Sequence, residues 1–299
     1  MQKEIINNFQ ILSESDHMLK RPGMWIGSTT LEEVTAFYHH KYQVVKVVPG
    51  LLKIIFEILD NSIDEAIRTD FKHANEISVD IGIEGSITIS DNGRGIPIVP
   101  IGDSYQPVLA WSKARAGSNF SDEGRTTIGM NGVGSFATNV FSKEFRGVTQ
   151  DSSGKRLIYE SGENATQQHH TISKSTKKTT GTSVYFIPDY KRFNVDNLFD
   201  GDHQMVISDR LHNLAITYPK IKFIYNGVTI SPYNPRDKFD NPMIINESVN
   251  WLIGIGLTDQ NLLEFQHHSY VNGLHLSSGG SHVDYLIDTL VSHLRPSIS

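Results

Sequence analysis

Phe56-Glu57-Ile58-Leu59-Asp60-Asn61-Ser62-Ile63-Asp64-Glu65-Ala66, followed further on by Ile89-Ser90-Asp91-Asn92-Gly93-Arg94-Gly95-Ile96-Pro97, decides how this chain is read. In the first stretch and the five residues before it, apolar residues at Leu51, Ile54, Ile55, Ile58, Leu59 and Ile63 form one broad face of a helix,. Glu57, Asn61 and Asp64 recur at i, i+4 and i+7, a polar stripe on that helix,. In the second, Ile87-Thr88-Ile89 alternates as a strand and runs into an Asp and two glycines, a turn that brings backbone close to a ligand,.

These residue types suit the binding of a nucleotide and the transfer of its terminal phosphoryl group. A carboxylate and an amide one turn apart divide that labour, with Glu57 polarising a water and Asn61 offering a hard oxygen to Mg²⁺,. A buried Asp91 can accept a hydrogen bond from an exocyclic amine such as that of adenine. Gly93 and Gly95 clear side chains from the pocket floor, and Arg94 is placed to pair with Glu65,. Taken singly, each motif has an ordinary explanation, since an isolated Asp-Asn-Gly is a turn and an Asn on a helix is solvated. Two further elements raise the count. Gly129-Met130-Asn131-Gly132-Val133-Gly134-Ser135 precedes a short helical pattern and offers backbone amides to an anion, although it is not a Walker loop because no Gly-Lys-Ser/Thr follows,. Thr179-Thr180-Gly181-Thr182 leads into an alternating strand, which places Thr182 to donate or relay a hydrogen bond near Asp91.

In this order and spacing the four elements resemble the Bergerat-fold ATP site of the GHKL superfamily, which includes gyrase, the MutL repair proteins, histidine kinases and a heat-shock chaperone. Within it, Lys20-Arg21-Pro22-Gly23-Met24-Trp25-Ile26-Gly27-Ser28 is similar to a signature of type II DNA topoisomerases, with Trp25 in the usual Tyr position. Tyr270-Val271-Asn272-Gly273 and Gly279-Gly280-Ser281-His282-Val283 resemble segments that open the transducer domain of those enzymes. The resemblance implies Glu57 as general base, Asn61 as Mg²⁺ ligand, Asp91 as adenine reader and Thr182 as its partner. It implies phosphate contacts from Gly129, Asn131, Gly132, Val133 and Gly134. Asp64, Glu65, Gly93, Arg94, Gly95, Ile96, Pro97, Ser118 and Asn119 complete the implied nucleotide site. Ser118-Asn119-Phe120 is closer to the eukaryotic pattern and Asn131 departs from the bacterial His, a mixture similar to that of the T-even phage branch of the family.

The resemblance also marks departures. The transducer lysine that reaches the γ-phosphate within a Gln-Thr-Lys or Gln-Ser-Lys loop has no counterpart here, and neither Lys113 nor Arg125 matches its position. Nor is there a cleavage module with a catalytic tyrosine and an acidic metal-binding cluster. The chain therefore reads as an N-terminal region or a naturally split subunit that does not break DNA by itself.

Composition sets the outer bounds. At 299 residues, with 38% hydrophobic and 20% charged residues, the chain is long enough for one large domain and part of another,. Zero cysteines exclude disulfides and Cys-type zinc sites and fit a cytoplasmic setting,. No apolar run is long enough to span a membrane, and no secretory signal is evident,. A net charge of -6 argues against the chain as a whole being a DNA-gripping surface,. The Ser173-Lys174-Ser175-Thr176-Lys177-Lys178 run is a local exception that a solvated loop explains,. The pairs His39-His40, His169-His170 and His267-His268 lack metal-ligand spacing and read as surface or packing residues,.

The expected architecture is α+β, a Bergerat-type sandwich with helices on one face of a mixed, mostly antiparallel sheet, followed by the start of a transducer domain. An N-terminal arm covers residues 1–20, the GHKL domain 21–235 and the partial transducer domain 236–299. Helices are expected over about 50–69, Gln106–Lys113 and Asp209–Tyr218. Strands are expected at Glu76–Ile83, Ser86–Ser90, Glu144–Val148, Arg156–Glu160, Thr182–Ile187 and Lys222–Tyr225, the last opening a hairpin at Asn226-Gly227,. The Gly- and Ser-rich segment from Ala116 to Gly134 reads as a lid over the nucleotide,. Function follows as ATP binding and hydrolysis with Mg²⁺, an ATP-dependent homodimer gating DNA passage, and the remaining topoisomerase subunits or domains as partners. A nucleotide-binding module without catalysis is the alternative. A MutL-like or chaperone ATPase fits less well, because those proteins lack the Lys20–Ser28 signature.

Overall fold

The computed structural model of the chain describes residues 11–114, 132–176, 178–198, 201–234, 237, 241–248, 251–257, 267, 269–271, 274–276 and 279–298. It divides into two compact units, Met1–Ser231 and Pro232–Ser299.

The first unit is organised around helix α2 (Pro49–Arg68), preceded by α1 (Glu14–Lys20) and the hairpin β1 (Glu32–Tyr38) and β2 (Lys41–Val47). α2 starts where Pro49 supplies a preset φ and lacks the N–H that a first turn leaves unpaired,. The preceding Val48 N–H is taken by His203 Nε2 at 2.9 Å. Leu51, Ile54, Ile55, Ile58, Leu59 and Ile63 are all buried, so the expected apolar face is the core face. Burying each such side chain contributes about 1.5–3 kcal/mol, which fixes the helix against the sheet far more firmly than its intrinsic propensity would.

That sheet has eight strands. After β3 (Glu76–Ile81) and β4 (Ile87–Asp91) come the short pair β5 (Pro100–Ile101) and β6 (Ser104–Tyr105), then helices α3 (Gln106–Ser112) and α4 (Gly134–Val140). Strands β7 (Ser142–Gln150), β8 (Lys155–Gly162), β9 (Gln167–Lys174) and β10 (Gly181–Pro188) follow. Helix α5 (Asp202–Thr217), β11 (Lys222–Tyr225) and β12 (Val228–Thr229) close the unit. The spatial order is β12-β11-β3-β4-β10-β7-β8-β9, with β11–β3 the one parallel pairing among the eight strands. Ile77, Val79, Ile87, Ile89, Val184, Phe186, Phe145, Leu157 and Tyr159 alternate onto the buried face and meet the helices,. The outer face is mixed: Ser90 and Ser183 share a hydroxyl bond of 2.7 Å across β4 and β10, and the same row continues through Val148 and Ile158. This is the expected mixed, mostly antiparallel sheet with helices on one face.

Of the elements that go beyond the sequence expectation, three belong to the frame of the first unit. The β1–β2 hairpin turns at His39 and His40, both at positive φ (49° and 60°), where no Gly or Asn announces a turn,. Strand β9 is exposed along its whole length and has no apolar alternation to betray it. Helix α5 begins seven residues before the expected Asp209, because its first two turns hold the hairpin as well as burying Ile207 in the core. Asp202 Oδ2 accepts from Lys46 N at 2.8 Å and Asp209 Oδ2 from Phe37 N at 3.2 Å.

The second unit contains the antiparallel pair β13 (Asn241–Glu247) and β14 (Leu252–Leu257), the short pair β15 (Tyr270–Val271) and β16 (Leu274–His275), and helix α6 (Ser281–Ile298).

Candidate active site

One side of α2 faces the turn after β4 and the start of α4. Ser62 Oγ donates to Asp91 Oδ2 at 2.8 Å, while Asp91 Oδ1 accepts from Gly93 N at 2.8 Å and Thr182 N at 3.3 Å. Thr182 stands directly across from Asp91 in the β10–β4 ladder. Burial pushes the Asp91 carboxyl up, against the pull of these three donors,. An acceptor held by three donors in a partly desolvated place is rigid and ready for one more donor.

The turn after Asp91 is fastened from both sides. Arg94 Nε and Nη2 reach Glu65 Oε1 and Oε2 at 2.7 and 3.0 Å, the two-pronged pairing expected from sequence,. Burial raises the Glu65 carboxyl, but the bonds from Arg94 outweigh it and leave Glu65 below the usual carboxylate range. On the other side, Thr180 Oγ1 donates to Gly93 O at 2.7 Å and the fully buried Thr149 Oγ1 accepts from Ile96 N at 2.7 Å. Gly95 has φ +74°, and a Cβ there would strike the Gln150 carbonyl, so only glycine lets this turn lie against β7. Pro97 comes next, exposed, and Asp151 Oδ2 takes the Ile98 N–H at 2.7 Å.

Along the same helix, Asn61 Nδ2 donates to Ser135 Oγ at 2.9 Å, which leaves its carbonyl oxygen as the atom available to a cation. Glu57 Oε1 pairs with Lys53 Nζ at 2.5 Å, and its side chain is 22% exposed. A Cβ added at Gly134 would collide with the Glu57 carboxylate, so glycine here brings the start of α4 onto the acid. Gly132 and Val133 lead into that helix, with Gly132 at φ +60°. Ser118, Asn119, Gly129 and Asn131, and most of the expected lid, lie outside the described residues.

The polar stripe of α2 divides. Asp64, grouped with Glu57 and Asn61 by spacing, is 0% exposed, and its charge is felt by Tyr218, whose hydroxyl burial, Asp64 and Asp60 together push up to about 12. Asp64 is thus placed towards Tyr218 and the core rather than on open pocket surface. Asp60 turns to α5, where Arg210 Nη2 meets its Oδ1 at 2.6 Å and the guanidinium lies 4.2 Å from the Phe56 ring centroid. The side chains are 8% and 11% exposed, and Arg210 Nε is buried without a hydrogen-bond partner. Burial pushes the Asp60 carboxyl up to about 6, with Arg210 opposing and Glu57 adding to the rise. Because the folded value lies above the ordinary 3.8, the cost of ionised Asp60 is present in full above about pH 6 and is relieved as pH falls towards 4. Two results are expected from urea unfolding. An Asp60→Leu/Arg210→Met variant matches or exceeds wild-type stability at pH 8 and loses ground to it as pH falls from 7 to 4.5. Asp60→Leu alone costs about 3–5 kcal/mol, because a buried guanidinium is stranded. A pH-independent difference for the double variant contradicts this.

Among the residues that build the site, Lys53, Ser62, Thr149 and Thr180 were not anticipated. Ser62 lies inside the quoted helix stretch and Lys53 one turn before Glu57, so helical spacing offered a signal for both. Thr149 and Thr180 become visible only once strand pairing is known.

Comparison with known proteins agrees with this geometry. Residues 47–192 match the model of the histidine kinase-, DNA gyrase B-, and HSP90-like ATPases. Residues 47–192 are a GHKL ATPase domain. Over 98% of its length the chain is 39% identical to the DNA topoisomerase large subunit of Enterobacteria phage T4, and it spans 57% of that protein. It is 32% identical to DNA topoisomerase 2 of Penicillium chrysogenum, of which it spans 20%. Among solved structures, the ATPase region of Saccharomyces cerevisiae topoisomerase II superimposes with a TM-score of 0.87 at 28% identity, covering 97% of this chain and 81% of that one. The ATPase and transducer domains of topoisomerase II from Balamuthia mandrillaris give a TM-score of 0.88 at 27% identity, covering 98% and 78%. In sequence and fold, the GHKL domain and the segment C-terminal to it correspond to the ATPase region of type II topoisomerases.

Proposed function

We propose that this chain binds ATP with Mg²⁺ between α2, the Asp91–Pro97 turn and the Gly132–Gly134 segment, and hydrolyses it as the nucleotide-driven gate of a type II DNA topoisomerase. The observation that carries the proposal is Asp91, fixed by Ser62, Gly93 and Thr182 beside a helix that also presents Glu57 and Asn61.

Asp91 accepts the exocyclic amine of adenine, with Thr182 beside it. Glu65 and Arg94 stiffen the turn, and Gly93, Gly95, Ile96 and Pro97 form the floor. Gly132, Val133 and Gly134, together with Gly129 and Asn131, contact the phosphates, and Ser118 and Asn119 belong to the same nucleotide site. Glu57 takes the proton of a water attacking the γ-phosphorus as the bond to the β-phosphate oxygen breaks and ADP departs with that electron pair. Lys53, one turn earlier, holds one Glu57 oxygen and leaves the other for the water. Mg²⁺, held through the Asn61 carbonyl oxygen, supplies charge neutralisation at the phosphates.

The second unit is the start of a transducer domain, and the working enzyme is a homodimer closed by nucleotide, with DNA cleavage supplied by further topoisomerase segments or subunits in the cytoplasm. The phage and fungal relatives named as DNA topoisomerases support this assignment. Steady-state hydrolysis tests it. Mg²⁺-dependent ATP turnover that rises faster than linearly with protein concentration is expected of a site completed by dimerisation. Nucleotide binding with no turnover above a Glu57→Ala control would move the assignment to a nucleotide-sensing module.

A further inference from the structure

The acidic chain has several long stretches without a carboxylate, and one of them contains an exposed sheet edge. Asp and Glu make up 33 of its 299 residues, yet none occurs from Asn164 through Pro188, a segment that holds β9, its loop and β10. β9 is the outer strand of the eight-stranded sheet and is exposed at every position. At its end Lys174 stands directly across from Lys155 of β8, and the next pair inward is Ser173 with Arg156. Like charges placed opposite each other in a ladder repel and cost stability. Among the described residues, no salt bridge is made by Lys155, Arg156, Lys174 or Lys178. The nearby Asp151 feels the charge of Lys155, but its carboxylate is engaged by Ile98 N, Ser153 N and Ser153 Oγ. Elsewhere on the same sheet charges are matched, since Glu160 pairs with Arg146 at 3.2 Å and His169 at 2.9 Å.

A lysine on an edge strand is a common guard against strand-to-strand aggregation. That role needs only Lys174. It does not account for Lys155 and Arg156 on the inner strand β8, nor for hydroxyls in place of acids at Thr171, Ser173, Thr176 and Thr179. Lys155 and Lys174 fall on one face of the ladder and the half-buried Arg156, with Ser173 and Thr171, on the other, so cations and hydroxyls flank the edge on both sides; such groups are the donor set that contacts a nucleic-acid phosphate backbone without reading its bases.

We infer that the β8–β9 edge, through Lys155, Arg156, Lys174 and Lys178, is a contact surface for the phosphate backbone of duplex DNA. The surface lies at the nucleotide end of the sheet, because Thr149 of the site, Leu157 and Ile172 occupy successive strands of one row, two residues from Lys155 and Lys174. The segment leaving β9 returns to the site at Thr180, which holds Gly93. DNA on this edge therefore sits beside the segment that fastens the adenine-reading turn. The inference extends the proposed function by adding a DNA-binding surface to its ATP site, and it is testable with no nucleotide present.

The experiment is fluorescence anisotropy of a labelled 20-base-pair duplex titrated with the 299-residue chain at several salt concentrations. Wild type is expected to bind with affinity that falls as salt rises. Lys155→Gln/Arg156→Gln/Lys174→Gln reduces the slope of log K against log salt by about 2–3 and weakens binding at least tenfold at low salt. The control Lys41→Gln/Lys46→Gln/Lys220→Gln makes the same change in net charge on exposed residues far from β9 and leaves the slope near wild type. Equal losses in both variants, or no DNA binding by wild type, overturn the inference; capture of an acidic peptide in place of DNA does so as well. Nucleotide binding measured on the same variants is expected to be unchanged, so a failed ATP site and a failed DNA surface give different results.

Discussion

Glu57→Gln is expected to lower ATP turnover by about 100- to 10,000-fold while leaving nucleotide affinity near that of wild type. The amide keeps the size of the side chain and can still contact Lys53 through its oxygen, so the helix and the approach of Gly134 are preserved. What is lost is the capacity to take a proton from water. An effect confined to turnover is the signature of a group that acts only in the transition state. If Glu57→Gln instead weakened binding and left turnover of the bound fraction intact, the carboxylate would be a ligand contact and the base would have to be sought elsewhere. Lys53→Ala provides a graded companion. It frees the Glu57 carboxylate without removing it, and is expected to reduce turnover less than Glu57→Gln does.

The second large effect belongs to Asp91. Asp91→Asn is expected to weaken binding of a non-hydrolysable ATP analogue by about 10- to 150-fold, the worth of a hydrogen bond to a charged acceptor. It should do so without unfolding the domain. The amide oxygen can keep the bonds from Gly93 N and Thr182 N, and the Ser62 hydroxyl can rotate to accept from the new NH₂,. The acceptor offered to adenine becomes a donor facing a donor. Thermal unfolding without nucleotide should therefore be close to wild type, while the nucleotide-induced rise in Tm shrinks. Ser62→Ala removes one support and leaves the carboxylate, so a smaller loss is expected. Equal affinities for Asp91→Asn and wild type would show that the base is held elsewhere.

Much of this site was legible in the sequence because its chemistry is local. Glu57, Asn61 and Glu65 share a helix whose period is read directly, and Asp91, Gly93, Arg94 and Gly95 share one turn. Their mutual placement, including the Glu65–Arg94 pairing, follows once strand β4 ends where its alternation ends. The contributions that stayed hidden come from pairing distant segments. Nothing near Thr149 marks it as the residue that takes the Ile96 N–H, because this depends on β7 lying two strands from β4. Asp64 shows the limit of period alone. It lies nearly in line with Glu57 on a helical wheel, yet it is buried towards Tyr218, because neighbouring elements rather than helix geometry decide which flank meets solvent. The β1–β2 hairpin and β9 escaped for another reason. One turns on histidines held at positive φ, and the other is a strand whose side chains have no core to face,.

The most direct test of the central claim is calorimetric titration of wild-type chain with a non-hydrolysable ATP analogue in the presence of Mg²⁺. Saturable binding of one nucleotide per chain, lost or strongly weakened when Mg²⁺ is withheld, is the predicted result. Absence of binding heat at millimolar nucleotide, with the protein folded by circular dichroism, would contradict the claim that Asp91, Glu57 and Asn61 together form an ATP site.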